Sequence, residues 1–390
     1  MMWSLVYILL LLLIATARTQ GFRDKIADKK AKIRAIRLEK LVKSVEAENK
    51  IPAFFKPTAG SPAHRPQGPV VFSVAMDKKM LPSCAKGFTG TLRNTGYKGD
   101  IVLATSPGSE MGFLKFLEKT SCITYEVDTV SAKKDFEVPH AQFGYSVNVL
   151  RLFMYKWWVS MYDKDAVILL SDFRDVLFQS NPFAFRPHAG LPTNNQLVIF
   201  HENFPLKMIY RCRTNRQWLQ TCYGDTAVGE LEQNLVSCSG TVFGGRDAVL
   251  AYAHMMVEQL DPAVRWRNHP LVNTSEFLYK VQKQCKHAGI DQGFHNYLLH
   301  SKTLEQWVDV KEMLQGEGMV NTIGAFFGTK AVVQKNLTEW GILKGKPPQQ
   351  TFHNWDGQLS PVVHQFDRFQ QNHFQGRYWE FIKVISDQYK

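Results

Sequence analysis

The run from Ala166 to Phe183, AVILLSDFRDVLFQSNPF, constrains this chain more than any other stretch. Ala166 to Leu170 is uninterrupted apolar sequence without helical periodicity, which predicts a strand buried on both faces of a parallel sheet. Two carboxylates, Asp172 and Asp175, follow at once. In a continuing strand, residues three apart point to opposite faces, so cooperating carboxylates require the chain to turn near Ser171 or Phe173. After such a turn they converge. Paired acids just past the carboxyl end of a buried strand, where open α/β sheets bind ligands, suit a hard divalent cation that also holds phosphates. The plainer alternative has Asp172 capping a helical turn and Arg174 pairing with Asp175 on the surface. Asn181-Pro182 closes the segment as a turn.

Upstream, Val70 to Ala75 (VVFSVA), Asp100 to Thr105 (DIVLAT) and Cys122 to Val127 read as strands, with helix-length stretches at Met80 to Leu92 and Met111 to Thr120 between them. That β-α-β-α-β order predicts a parallel sheet with right-handed crossovers. Val147, Leu150, Met154, Trp157 and Met161 form one helical face, and at such spacing Trp157 and Trp158 are core residues before they are a sugar platform. Asn148 and Arg151 lie three apart on this helix, placed to point together at a ligand. Neither GxGxxG nor GxxxxGK[ST] occurs, so neither a dinucleotide fingerprint nor a P-loop is supported.

Past the central run, Gln196 to Phe200 is another buried strand, ending in His201-Glu202-Asn203. Cys238-Ser239-Gly240-Thr241 opens a strand that leads through Gly244-Gly245 into a helix, Arg246 to Leu260. Glycines there permit close backbone approach to a ligand or tight packing alone. Asp291 sits where it would cap a helix beginning at Gln292, which places Gln292, His295 and Asn296 on one face. A short strand, Pro361 to Val363, delivers His364 near Asp367 and Arg368.

With Asp172-Phe-Arg-Asp175 followed by Val-Leu-Phe-Gln and Asn-Pro-Phe, the central segment resembles the DxD-type motif of the GT-A glycosyltransferases, with two residues between the acids instead of one. The Ser239-Gly240 turn, the Asp291-Gln292 helix start and the late His364 occur in the order that family has them. The resemblance spans about residues 70 to 370. It implies an α/β GT-A (Rossmann-like) fold, a mostly parallel central sheet flanked by helices, in a single catalytic domain. It further implies that Asp172, Asp175 and His364 hold Mn²⁺ (or Mg²⁺), and that Asp172, Arg151, Ser239, Gly240, Gln292 and Arg368 line the site of a nucleotide-diphosphate sugar. Asp291 would approach the acceptor or the donor sugar as the catalytic carboxylate. The acceptor would be a glycan, a protein or a lipid. Two other readings fit the same acids: a secreted glycan-binding protein without catalysis, and a metal-dependent phosphohydrolase.

Residues Trp3 to Ala17 carry no charge. Those fifteen span only about 22 Å as a helix, short of a ~30 Å hydrocarbon layer, and Ala15-Thr-Ala17 offers a cleavage site. Residues 1–17 therefore read as a signal peptide or a short signal anchor, placing the body in the secretory pathway, as in the Golgi lumen, or outside the cell. From Arg18 to Lys50, eleven Lys/Arg face five Asp/Glu, half of the net charge of +12. This stretch reads as a basic, solvated amphipathic helix, a stem of residues 18–50 with possible membrane attachment, and not as a nucleic-acid arm. Pro52, Pro57, Pro62, Pro66 and Pro69 mark 51–69 as a linker, and the folded domain takes 70–390. Six cysteines in an exported chain predict disulfides, and Cys212 with Cys222 is the pair that a local polar loop would close. Sequons lie at Asn273 and Asn336.

Overall fold

The computed structural model describes residues 2–76, 80–136, 146–185, 190–202, 207–285, 289–325, 330–345 and 351–366. Helix α1 (Met2–Glu48) leads through the Pro-rich segment into β1 (Val70–Ala75). Helices α2 (Pro82–Ala85) and α3 (Thr91–Asn94), joined by a π-turn, return the chain to β2 (Asp100–Thr105). Helix α4 (Met111–Lys119) crosses to β3 (Ile123–Glu126), and α5 (Thr129–Asp135) and α6 (Val147–Ser160) precede β4 (Val167–Ser171). Strand β5 (Val176–Phe178) leaves the main sheet, and β6 (Gln196–His201) rejoins it. Helix α7 (Arg213–Leu231) leads to β7 (Ser237–Gly245) and α8 (Arg246–Glu258). Helices α9 (Pro262–Arg265), α10 (Ser275–Gln284) and α11 (Ile290–His300) precede β8 (Asp309–Met313). Strand β9 (Val320–Thr322), helix α12 (Lys330–Glu339), the pair β10 (Leu343–Lys344) and β11 (Thr351–Phe352), and β12 (Val362–His364) complete the described chain.

The main sheet has the order β3-β2-β1-β4-β7-β6-β8. All its neighbours are parallel except β7, which runs antiparallel to both β4 and β6. The fold is thus the expected α/β class, a mostly parallel central sheet flanked by helices. Side chains alternate strictly: Val70, Phe72, Ile168 and Leu170 enter one core with α6 and α8, whereas Val71, Ile101, Leu103 and Leu169 enter another with Phe88 and Phe113. Both faces are buried, which is why these strands are apolar throughout. Trp158 of α6 is fully buried, with its ring centroid 5.6 Å from Phe72 and 5.4 Å from Tyr125. A smaller sheet, β5-β12-β9, lies beside the carboxyl end of β4.

The N-terminal segments pack against this body. The face of α1 that carries Leu38, Val42 and Val45 is buried in the α6–α8 core, and Arg246 of α8 reaches Glu46 at 2.6 Å. Thus the buried stripe of the basic helix is Leu38-Val42-Val45, while Ile26, Ile33 and Ile36 are exposed. The Pro-rich segment runs over the sheet edge. Phe55 stacks on Tyr125 at 4.6 Å, Thr58 N–H donates to the Thr124 carbonyl at 2.7 Å, and Arg65 pairs with Asp100 at 2.7 Å.

The disulfide joins Cys222 to Cys285, not to Cys212. The segment between Cys212 and Cys222 is not a loop but the first part of α7, whose N-cap is Cys212. Ten residues of helix place those two sulfurs about 15 Å apart along the axis, beyond any disulfide. Cys212 instead accepts a hydrogen bond from Asn215 Nδ2 at 3.2 Å. Among the described residues, Cys122 and Cys238 are also free thiols.

Candidate active site

Strand β4 ends at Ser171, and the next residue is captured at once: Asp172 N–H donates to the Gly240 carbonyl of β7 at 2.6 Å. Phe173 is driven into the core against Phe88 and Phe113, which turns the chain and separates the two acids from a strand's alternation. Asp175 then precedes β5, and its carbonyl accepts from Gln365 N–H at 2.7 Å. Because His364 stands opposite Val176 in the β5–β12 ladder, this register sets its ring beside both acids. His364 Nε2 lies 3.3 Å from Asp172 Oδ2 and 3.9 Å from Asp175 Oδ1. One ligand atom from each of Asp172, Asp175 and His364 falls within 4.8 Å of the others. The plainer reading of a surface Arg174–Asp175 pair fails on burial, since Asp175 is 8% exposed and turned toward His364. The residue after His364, Gln365, has φ of 59°, a left-handed backbone that non-glycine residues adopt mainly where surroundings enforce it.

The neighbouring charges come from α6 and α11. Arg151 is buried and donates through Nη1 to Asp172 and through Nη2 to Asp291 Oδ2 at 2.6 Å. Ser239 Oγ donates to the same Asp291 oxygen at 2.9 Å. Asp291 is not the helix cap; α11 begins at Ile290 after Gly289, whose φ of 79° suits glycine, and Asp291 lies in the first turn with its carboxylate directed at Arg151. Its Oδ1 is buried without a hydrogen-bond partner among the described residues. Burial opposes the charge on Asp172, but Arg151 and His364 hold its carboxyl well below the usual carboxylate range. Burial likewise opposes a proton on His364, yet the Cys238 sulfur and the Asp172 and Asp175 carboxylates push its pKa well above the ordinary value.

Gly240 makes the close approach possible. A Cβ there would overlap the Asp172 carboxylate and stand 2.7 Å from the His364 ring. The other predicted residues divide. Asp172, Asp175, His364, Arg151, Ser239, Gly240 and Asp291 converge on one locus. Gln292 stands one layer out, donating to Asn215 Oδ1 at 3.1 Å and Glu202 Oε1 at 3.3 Å. His295 and Asn296 hold strand β7: His295 Nε2 contacts Ser237 Oγ at 2.8 Å, and Asn296 bonds the Ser237 backbone on both sides at 2.8 Å. Asn203, Asp367 and Arg368 lie outside the described residues.

Sequence reasoning missed several neighbours. Cys238 Sγ lies 3.6 Å from Gln292 Oε1 and 3.7 Å from Gln365 Nε2. Glu202 forms a buried ion pair with Lys207 beside Asn215. Nothing in the local sequence marks Cys238, Lys207 or Asn215 as neighbours of the site, whereas Glu202 closes a buried strand where the sequence already places a candidate contact.

No family model matches this chain, and no curated protein matches it. Among solved structures, it is similar to the galactosyltransferase LgtC in complex with donor and acceptor sugar analogs. That similarity covers 82% of this chain and 95% of that one, at 12% identity and a TM-score of 0.43. It is also similar to an active-site variant of LgtC over the same shares, at 10% identity and a TM-score of 0.43.

Proposed function

We propose that this protein is a metal-dependent glycosyltransferase of the secretory pathway, moving a sugar from a nucleotide-diphosphate sugar to a glycan, protein or lipid acceptor. The observation that carries the reading is the meeting of Asp172, Asp175 and His364 within 4.8 Å, at the carboxyl end of a central strand. The donor set fits the cation: two carboxylates and one imidazole suit Mn²⁺ or Mg²⁺ when diphosphate oxygens complete the shell, and favour Mn²⁺ over Ca²⁺. Bound there, the cation would neutralise charge that develops on a departing nucleoside diphosphate.

The chain's own residues supply the rest. Gly240 leaves the space that a side chain would take from Asp172 and His364. Arg151 fixes Asp172 and Asp291 relative to one another from a rigid helix, so both carboxylates are oriented before any substrate arrives. Asp291 keeps one buried oxygen unpaired, an acceptor suited to a sugar hydroxyl. The disulfide between Cys222 and Cys285 supports an oxidising compartment.

Thermal unfolding of the full chain with UDP, GDP or CMP and their sugars, with and without Mn²⁺, tests this. At a hundredfold excess over Kd, a ligand adds about 2.7 kcal/mol, which raises Tm by roughly 4 °C for a domain of this size. The expected result is a rise with one nucleotide class, only with Mn²⁺, and lost in Asp175→Ala. No rise with any nucleotide, or release of inorganic phosphate from simple phosphate esters, would overturn the proposal.

A further inference from the structure

The carboxyl-terminal module that carries His364 presents two tryptophans to solvent. Trp340 follows helix α12, and Trp355 sits in the turn between β11 and β12; they are 44% and 43% exposed, with ring centroids 6.1 Å apart and planes inclined by 49°. Tryptophan buries most of its area in an ordinary fold, so two exposed side by side call for a reason. Trp355 is held in place. Its Nε1–H donates to the Gln315 carbonyl at 2.6 Å and its backbone N–H to the Gly316 carbonyl at 2.8 Å. A Cβ on Gly316, whose φ is 77°, would stand 2.6 Å from the indole nitrogen, so glycine both takes the left-handed backbone and admits the ring. The turn is tied as well: Asn354 N–H donates to the Gln358 carbonyl at 2.8 Å, and His353 Nδ1 contacts the Gly357 carbonyl at 2.9 Å. Exposed polar side chains frame the rings, Asp356 and Gln358 in the same turn and Lys344 with its ammonium beside Gly357. Among the described side chains of 335–345 and 351–366, no other large apolar group is exposed.

We infer that Trp355 and Trp340 form a stacking platform for a neutral oligosaccharide, which selects a glycan over a protein or a lipid as the acceptor; the role as acceptor rests on the transferase reading above. The chemistry separates the candidates. A pyranose offers a C–H face to an aromatic ring and a rim of hydroxyls to carboxylate, amide and ammonium groups, which is the set displayed here. A bilayer or a protein partner would draw on aliphatic surface as well, and none is exposed around these rings. The frame carries no excess of either charge: Lys335 pairs with Glu339 at 3.6 Å, and Asp356 offsets Lys344. Position favours the same occupant. Ser360, just past the turn, donates through its N–H to the Phe352 carbonyl at 3.0 Å and through Oγ to Asn354 Oδ1 at 2.7 Å. Four residues on, about 13 Å along the extended chain, β12 ends at His364. The platform and the metal ligand thus belong to one braced module, separated on the scale of an oligosaccharide.

The test titrates the full chain with chitohexaose, cellohexaose and mannohexaose in chelator, without nucleotide, and reads binding by saturation-transfer NMR. The chain is expected to bind at least one of the three, and Trp355→Ala and Trp340→Ala each to weaken that binding roughly tenfold or more, the scale for truncating an interface tryptophan. Trp355→Phe keeps a ring face but not the bond to Gln315, so it should retain most of the affinity if stacking is the role and lose it if the indole is only a brace. These variants should all keep the Mn²⁺-dependent rise of Tm with nucleotide, since none alters Asp172, Asp175 or His364. Glycan binding without any nucleotide response in the unaltered chain would therefore remove the transferase reading and leave the platform standing, whereas a nucleotide response with no binding of any hexasaccharide would overturn the platform alone. Equal affinities in the unaltered chain and both alanine variants would also overturn it, as would adsorption to phosphatidylcholine vesicles that the same variants abolish. Asn336 precedes Trp340 by one helical turn; binding seen only in Asn336→Gln would give the platform to a glycan on the chain itself and end the acceptor role.

Discussion

Arg151 holds two carboxylates by itself. Its buried guanidinium pairs with the half-buried Asp172 and the buried Asp291, so deleting it leaves a buried and a partly buried negative charge facing one another. Arg151→Met is expected to destabilise the metal-free protein by about 3–5 kcal/mol, the range for breaking a buried ion pair, as read from urea midpoints. Arg151→Met with Asp291→Asn should recover part of that loss, because one stranded charge is gone; no recovery would mean that Arg151 acts only through packing. Gly240 makes an opposite case, since adding one carbon there does damage. Gly240→Ala should lower Mn²⁺ affinity at least tenfold by displacing Asp172 and His364, with a much smaller change in Tm, measured by metal titration of intrinsic fluorescence. Asp172, Asp175 and His364 were legible in the sequence because each follows or ends a short apolar strand. Cys238, Lys207 and Asn215 were not, because burial beside the site is a tertiary property with no local signature.

At the level of elements, strands β1, β2 and β4 were readable because a strand buried on both faces must be apolar at every position. Helix α7 was not. Its polar sequence lacks a clear apolar stripe, and it bends at Gly224, whose φ is 83°, so the stretch passed for a loop and suggested the wrong cysteine partner. The true bridge ties α7 to the end of α10 across 63 residues. Loop-closure entropy for that length gives about 4 kcal/mol, so the pair Cys222→Ser, Cys285→Ser should lower the urea midpoint by an amount of that order. A change below about 1 kcal/mol would show that the unfolded chain is compact around these cysteines. The packing of the stem and the Pro-rich segment was hard to read for a related reason. Charge and proline density predict solvation, but Leu38, Val42, Val45 and Phe55 are buried in the core, and polar contacts such as Arg246–Glu46 and Arg65–Asp100 join them in holding these segments to the body.

For the molecule as a whole, acid should destabilise the metal-free fold well before general carboxylate protonation. His295, buried against Ser237 and Tyr252, has its pKa lowered to about 3, by burial first and then by His300, His201 and Arg151, with Glu312 opposing. His300 is lowered to about 4, also chiefly by burial. Both groups bind a proton more readily in the unfolded chain, so their contribution is fully present above pH 6.5 and is lost as pH falls toward their folded values. Glu312, held down to about 2 chiefly by its hydrogen bond to His201, adds a loss in the same direction below about pH 4.5. His364 is shifted upward and works the other way, offsetting one of the two histidines. A net loss of about 2 kcal/mol between pH 7.5 and pH 5 follows at ~1.4 kcal/mol per unit, checked by urea unfolding in chelator. A flat profile over that interval would contradict the buried neutral state of His295.

The direction of β7 also governs where this architecture can be edited. A parallel strand meets the ligand edge of its sheet with the residues that follow it. The reversed strand meets that edge with its opening residues, Cys238 to Thr241, and sends Gly245 to the far side beside Val167. Chain inserted ahead of Ser237 would therefore remodel the walls around Asp172, whereas chain inserted after Gly245 would emerge on the opposite rim and leave the chemistry alone. Diversity in what relatives of this fold accept should collect in the stretch from β6 to β7, upstream of the strand that it serves.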